Sequence, residues 1–308
     1  MRQTLYDGYL VIFALAQAVI LLMLTPLFTG ISRQIRARMH SRRGPGIWQD
    51  YRDIHKLFKR QEVAPISSGL MFRLMPWVLI SSMLVLAMAL PLFITVSPFA
   101  GGGDLITLIY LLALFRFFFA LSGLDTGSPF AGVGASRELT LGILVEPMLI
   151  LSLLVLALIA GSTHIEMISN TLATGWNSPL TTVLALLACG FACFIEMGKI
   201  PFDVAEAEQE LQEGPLTEYS GAGLALKQVV MAALFVALFL PFGRAQELSL
   251  ACLLTSLVVT LLKVLLIFVL ASIAENTLAR GRFLLIHHVT WLGFSLAALA
   301  WVFWLTGL

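Results

Sequence analysis

The sequence predicts an all-α fold that crosses a lipid bilayer about eight times, with a short amphipathic helix in its first loop. Three observations carry that prediction. Apolar residues make up 59% of the 308 and charged residues only 12%, where a soluble domain carries about 25% charged. The apolar residues come in blocks of roughly 18 to 26, long enough to cross a ~30 Å hydrocarbon core as helix. They do not alternate with period two, which disfavours a lipid-facing β-barrel.

The spans are expected at about 9–30, 72–97, 104–122, 138–160, 179–198, 224–243, 249–274 and 286–306, and one membrane domain covers residues 1–308. Residues 1–8 hold a single Arg, and no small-residue cleavage site follows the first apolar run. The first span is therefore expected to be retained rather than removed as a signal peptide. Loop one, 31–73, holds ten of the nineteen basic residues: Arg33, Arg36, Arg38, Arg42, Arg43, Arg52, Lys56, Lys59, Arg60 and Arg73. Within it Ile47, Tyr51, Ile54 and Phe58 fall at i, i+4, i+7 and i+11, the stripe of a helix lying at the membrane surface or under a partner. Gly44, Pro45 and Gly46 break the chain just before it.

The later loops complete the charge pattern. The third holds Arg137, the fifth Lys199 and the seventh Arg280 and Arg282, whereas the second and fourth have no basic residue and the sixth only Arg244. Because basic loops stay in the cytoplasm, odd-numbered loops are expected inside and both termini outside. Cys189, Cys193 and Cys252 all lie in apolar blocks without a CxxC or Cys/His cluster, so no iron–sulfur or haem centre is expected.

Several ionisable residues fall inside the spans, where a charge costs roughly 2.5 to 3.5 kcal/mol at the helix centre. Glu146, followed by Pro147, lies in span four, Glu196 near the end of span five and Lys263 near the middle of span seven; Arg116, Lys227 and Glu275 sit nearer span ends. Lys227 and Glu275 can snorkel to the interface, but Glu146 and Lys263 are too deep for that and point to an internal polar path. Loop five adds six acids after Lys199: Asp203, Glu206, Glu208, Glu210, Glu213 and Glu218. On a helix Glu206, Glu210 and Glu213 would share a face. The candidate proton path is Glu138, Glu146, Glu196, Asp203, Glu206, Glu210, Glu213, Lys227 and Lys263. The candidate docking surface for a partner is Arg36, Arg38, Arg42, Arg43, Trp48, Tyr51 and Arg52. There is no metal-ligand set, no nucleophile constellation and no sign of nucleic-acid binding.

The stretch from Lys199-Ile-Pro-Phe-Asp203 through Glu206-Ala-Glu208 to Glu218-Tyr-Ser-Gly221 resembles the signature loop of one membrane-subunit family of the NADH–quinone oxidoreductases, the anchor beneath the peripheral arm of respiratory complex I. Arg43-Gly-Pro-Gly46, Gln49, Asp53, Lys56-Leu57 and Pro65 in loop one agree, as does Arg137 with Glu146 nine residues on. Phe115-Arg-Phe-Phe-Phe119, Gly123-Leu-Asp-Thr-Gly-Ser-Pro-Phe130 and Glu206-Ala-Glu-Gln-Glu-Leu-Gln-Glu-Gly-Pro215 look most like the membrane subunits of formate hydrogenlyase-type hydrogenases. The resemblance implies a non-catalytic subunit of the bacterial inner membrane, partnered by hydrogenase large and small subunits and by antiporter-like membrane subunits. Any nickel–iron centre and iron–sulfur clusters would belong to those partners. Quinone-reducing relatives differ at Gly46, Leu141 and Lys199, so quinone is expected to take no part in turnover. The rival readings are a quinone-reactive complex I subunit and a free-standing secondary transporter; the absence of an internal repeat disfavours the latter.

Overall fold

The computed structural model describes residues 2–59, 65, 67–97, 103–176, 178–205, 208–211, 214–216, 240, 243–245, 249–278 and 286–307, with the side chains of 2–8 left aside. The chain is an all-α polytopic membrane protein. Its main helices are α1 (Arg2–Met39), α2 (Gln49–Phe58), α3 (Leu70–Ala89), α4 (Leu105–Asp125), α5 (Pro129–Ala160), α6 (Ile165–Thr174), α7 (Pro179–Glu196), the single turn α8 (Glu208–Leu211), α9 (Leu250–Thr277) and α10 (Ile286–Thr306). Seven of them, α1, α3, α4, α5, α7, α9 and α10, are long and apolar enough to cross a membrane. The span expected at 224–243 lies almost wholly outside the described residues, and so does Lys227.

Apolar composition marks where a helix is in lipid, not where it stops. α1 continues to Met39, so Arg33, Arg36 and Arg38 are on its last turns rather than in a loop. At 38 residues it is about 57 Å long at 1.5 Å per residue, well beyond the ~30 Å core. α5 begins at Pro129, with Pro at the first helical position, where its missing N–H costs nothing. Arg137 therefore lies inside a helix and not in a third loop; the actual loop is 126–128. Span two errs the other way. α3 ends at Ala89, and the chain from Leu90 to Ser97 is not helical. Pro91 is the cause, because it has no N–H to offer the carbonyl of Ala87 four residues back. Gln17 of α1 replaces that donor, its Nε2 donating to Ala87 O at 2.7 Å and Leu90 O at 2.8 Å. α6 has no counterpart among the expected elements.

α9 packs on α1, α1 on α3, α3 on α4 and α4 on α5; α5 also packs against α7 and α10, which pack on each other. α5 is thus the central helix. Leu21, Met83, Leu86, Phe115, Met148, Leu153 and Phe268 are fully buried between them. Ile12, Trp77, Tyr110, Ile143 and Leu262 are exposed, as lipid-facing side chains are. The two ends of the bundle differ. At one, the loops after α3, α5 and the segment before α9 are joined by the bridges Ile94–Ala245 and Asp104–His164. At the other, basic end, Ser67 Oγ donates to Thr126 O at 2.7 Å, and Asp125 Oδ2 accepts from Phe72 N at 3.0 Å, capping α3 from the end of α4.

Candidate functional site

Arg116, in the second half of α4, is the hub of the buried polar groups. Its Nε lies 3.4 Å from Glu138 Oε1, its Nη1 donates to Glu146 and its Nη2 to Glu196. Glu138 and Glu146 are eight residues apart on α5, and Glu196 is the last residue of α7, so one guanidinium ties three helices together. The fork of an arginine, with donors pointing in several in-plane directions, suits such a task where a lysine would not. Gly142 lies midway between the two α5 glutamates. A Cβ there would meet Arg116 Cδ at 2.6 Å and Nη1 at 2.7 Å, so the guanidinium lies across α5 in a space that only glycine leaves open.

Three carboxylates face one guanidinium. They do so in a site where Arg116, Glu138 and Glu196 are nearly inaccessible. Glu146 is the member with contact to the outside, its side chain 35% exposed. Phe115, Phe119, Leu141 and the loop residues Phe202–Ala205 close a small pocket over Arg116, Glu138 and Glu196, which brings Asp203 to the same site. That loop is held down by Arg137, whose Nη1 donates to Glu210 Oε2 at 2.9 Å and to Val204 O at 3.4 Å. Gly134 of α5 admits Pro215 against the helix. Of the expected acidic helix face only Glu210 is described, on the single turn α8; Glu206 and Glu213 lie outside the described residues.

One expectation is corrected. Glu275 does not snorkel. It lies partly buried beside Lys199, whose Nζ donates to Glu275 Oε2 and Ser32 Oγ, both at 3.1 Å, while Arg36 Nη1 lies 3.5 Å from Glu275 Oε1. For Lys263 the contact described is to a backbone carbonyl. This lysine lies on α9, which packs on α1, and its Nζ donates to Leu240 O at 2.8 Å. The candidate path omits Arg116, Lys199 and Glu275. The signal for Arg116 and Glu275 is their own placement in apolar blocks, and Lys199 stands at the start of loop five; which partners they take depends on how the helices pack.

The docking candidates separate into engaged and exposed groups. Arg36 is engaged with Glu275, and Tyr51 Oη donates to Met23 O at 2.5 Å, which fixes α2 against α1. Asp50 strengthens that contact, accepting from Thr29 Oγ1 at 2.7 Å and pairing with Arg33 at 2.6 Å. Arg38, Arg42, Arg43, Trp48 and Arg52 are exposed.

No described group of three or more His, Cys, Asp or Glu side chains is arranged to hold a metal ion. The Lys199 ammonium is directed at Glu275 and Ser32, and Leu141 presents a buried apolar side chain to the pocket. A family model described as NADH dehydrogenase matches residues 11–306. Hydrogenase-4 component C of Escherichia coli (strain K12) is 96% identical over the full length of both chains. Formate hydrogenlyase subunit 4 of the same organism is 51% identical, over 95% of this chain and 98% of its own. Among solved structures, a chain of the membrane-bound sulfane sulfur reductase, an archaeal respiratory membrane complex, superposes with a TM-score of 0.83 at 26% identity, over 94% of this chain and 98% of that one.

Proposed function

The chain belongs to the NADH dehydrogenase family, and from that premise we propose that it is the membrane anchor of a formate hydrogenlyase-type nickel–iron hydrogenase complex in the bacterial inner membrane. It links a peripheral hydrogenase arm, its large and small subunits carrying the nickel–iron centre and iron–sulfur clusters, to antiporter-like membrane subunits, and couples the arm's chemistry to proton movement. Both termini face the periplasm and the basic end of the bundle faces the cytoplasm, as the positive-inside rule requires.

The observation that carries this reading is the Arg116 cluster. A buried carboxylate that shares one guanidinium with two others can take up or give back a proton as its neighbours shift. Glu146 opens outward, Glu138 and Glu196 are enclosed, and the pocket is roofed by loop five, a segment at the surface where the peripheral arm would dock. Movement of that roof changes both the solvation and the charge felt by the carboxylates, which is a route from redox events to protonation. Turnover uses no quinone, because protons accept the electrons in hydrogen evolution.

The test is Glu146→Gln in the intact complex reconstituted into vesicles. The amide keeps the shape and the Arg116 contact but does not titrate. Assembly and hydrogenase activity with an artificial donor should persist, and proton translocation should fall several-fold. Unchanged translocation would leave the cluster as a structural ion pair only.

A further inference from the structure

The proton-coupling reading, on which this inference rests, requires an exit at the end of the bundle away from the Arg116 cluster. The non-helical segment after α3 lies there. Most of it is buried, with Leu90, Leu92, Phe93, Ile94 and Ser97 all at most 5% exposed, although Val96 is 40% exposed. Irregular backbone at membrane depth is tolerated only where protein or water answers its polar groups. Side chains from several elements do so. Besides the two Gln17 bonds, Arg244 Nη1 donates to Pro91 O at 3.4 Å and Thr260 Oγ1 to Leu92 O at 3.1 Å. Ser256 Oγ donates to Phe93 O, and Ser97 Oγ to Ala89 O at 2.8 Å.

One atom in this seam is left over. Gln17 is 1% exposed, and its Oε1 has no hydrogen-bond partner among the described residues. Its orientation follows from its neighbours, since the Nε2 protons meet two carbonyl oxygens and a flipped amide would set oxygen against oxygen. A buried acceptor of this kind calls for a donor or a cation. Two cations flank the seam: Arg244 on Pro91 O, and Lys263, which donates to Leu240 O and shares the α9 face of Ser256 and Thr260 at i+7 and i+3. They disfavour a metal ion beside them and leave water, which occupies buried sites by answering orphaned polar atoms.

We propose that the seam formed by Gln17, residues 90–97 and the Ser256–Thr260–Lys263 face of α9 binds water, and that this water hydrates Lys263 as the outer half of the proton path. The step balances on the seam itself. The Lys263 ammonium gives a proton to a bound water, leaving an amine and a hydronium whose proton moves outward, and the amine is reprotonated from the inner side. Lys263 thereby acts after the Arg116 cluster in sequence.

Radiolytic hydroxyl labelling of the intact complex tests the water, because radicals formed on bound water mark the side chains beside it. Leu92 should be labelled and Leu86, equally buried in the core, should not. Gln17→Leu should remove the Leu92 label, and both Gln17→Leu and Lys263→Met should lower proton translocation several-fold with donor-linked hydrogenase activity retained. Thr255→Val, on the exposed side of α9, should change neither. Equal labelling of Leu92 and Leu86 in the wild type overturns the site, and that comparison stands even if Gln17→Leu fails to assemble. Normal translocation in Lys263→Met, with translocation lost in Glu146→Gln, overturns the exit but not the proton reading; normal translocation in both overturns the two together. Loss of the Leu92 label on adding sodium overturns water in favour of a metal ion.

Discussion

Gly142 shows how much of the site depends on one missing methyl group. Arg116 is held by carboxylates on two other helices and has little freedom to retreat from a Cβ that would lie 2.6 Å from its Cδ. Gly142→Ala should therefore lower the stability of the purified complex by about 1–3 kcal/mol, the usual cost of overpacking, and disturb coupling. Gly132 on the same helix has nothing within 4 Å of its would-be Cβ. Gly132→Ala should be neutral or stabilising by up to about 1 kcal/mol, since alanine is the better helix former. Thermal unfolding of the two variants side by side decides the matter, and equal midpoints would argue against a tight fit at Gly142. Depth alone marks Glu146 and Lys263 in the sequence as functional rather than interfacial, because a charge there is costly wherever it points. Depth does not say that the partner of Glu146 is Arg116, or that Lys263 donates to a backbone carbonyl. Those facts are set by helix packing, which hydropathy does not encode.

The helices themselves are legible in the sequence where they cross lipid and misjudged where they leave it. α4 and α10 lie within a few residues of their expected bounds, because the apolar run and the helix end together. α1 and α5 overrun their apolar blocks, since a helix in water needs only propensity and neighbours, not hydropathy. Residues 90–97 read as helix because they are apolar, although Pro91 removes one of the necessary donors. Span junctions are also where a single side chain can govern two elements. Asp125, at the end of α4, caps the start of α3 through Phe72 N. Asp125→Ala should cost about 0.5–2 kcal/mol, as loss of a cap does, whereas Asp125→Asn should cost less because it still accepts the bond. A denaturation midpoint unmoved by Asp125→Ala would show that the α3 terminus is held by other contacts.

Across the whole molecule, positive charge is concentrated at one end, but not all of it is available. Arg33 is paired with Asp50 and Arg36 with Glu275, so these two brace α1 against α2 and α9. Arg42 and Arg43 are exposed beside Trp48, in keeping with a surface that steers and orients a partner. Reversing both to Glu should release the peripheral hydrogenase arm during purification in mild detergent while the membrane subunits stay together. An intact, equally stable complex would count against docking there. Arg36→Glu should instead weaken the membrane subunit itself, by placing a second carboxylate beside Glu275.

The Arg116 cluster also constrains the order in which the protein can be made. Arg116 leaves the ribosome before all of its partners: Glu138 and Glu146 follow 22 and 30 residues later and Glu196 only after 80. Until then α4 carries an unanswered guanidinium among phenylalanines, a burden of roughly 2.5 to 3.5 kcal/mol for a span entering lipid by itself. α5 supplies two carboxylates along one face, so α4 and α5 are best released into the bilayer as a pair, joined by the short turn between them. Biogenesis and ion handling thus draw on the same charges: the groups proposed to move protons in the finished complex are also those that let its third span enter the membrane.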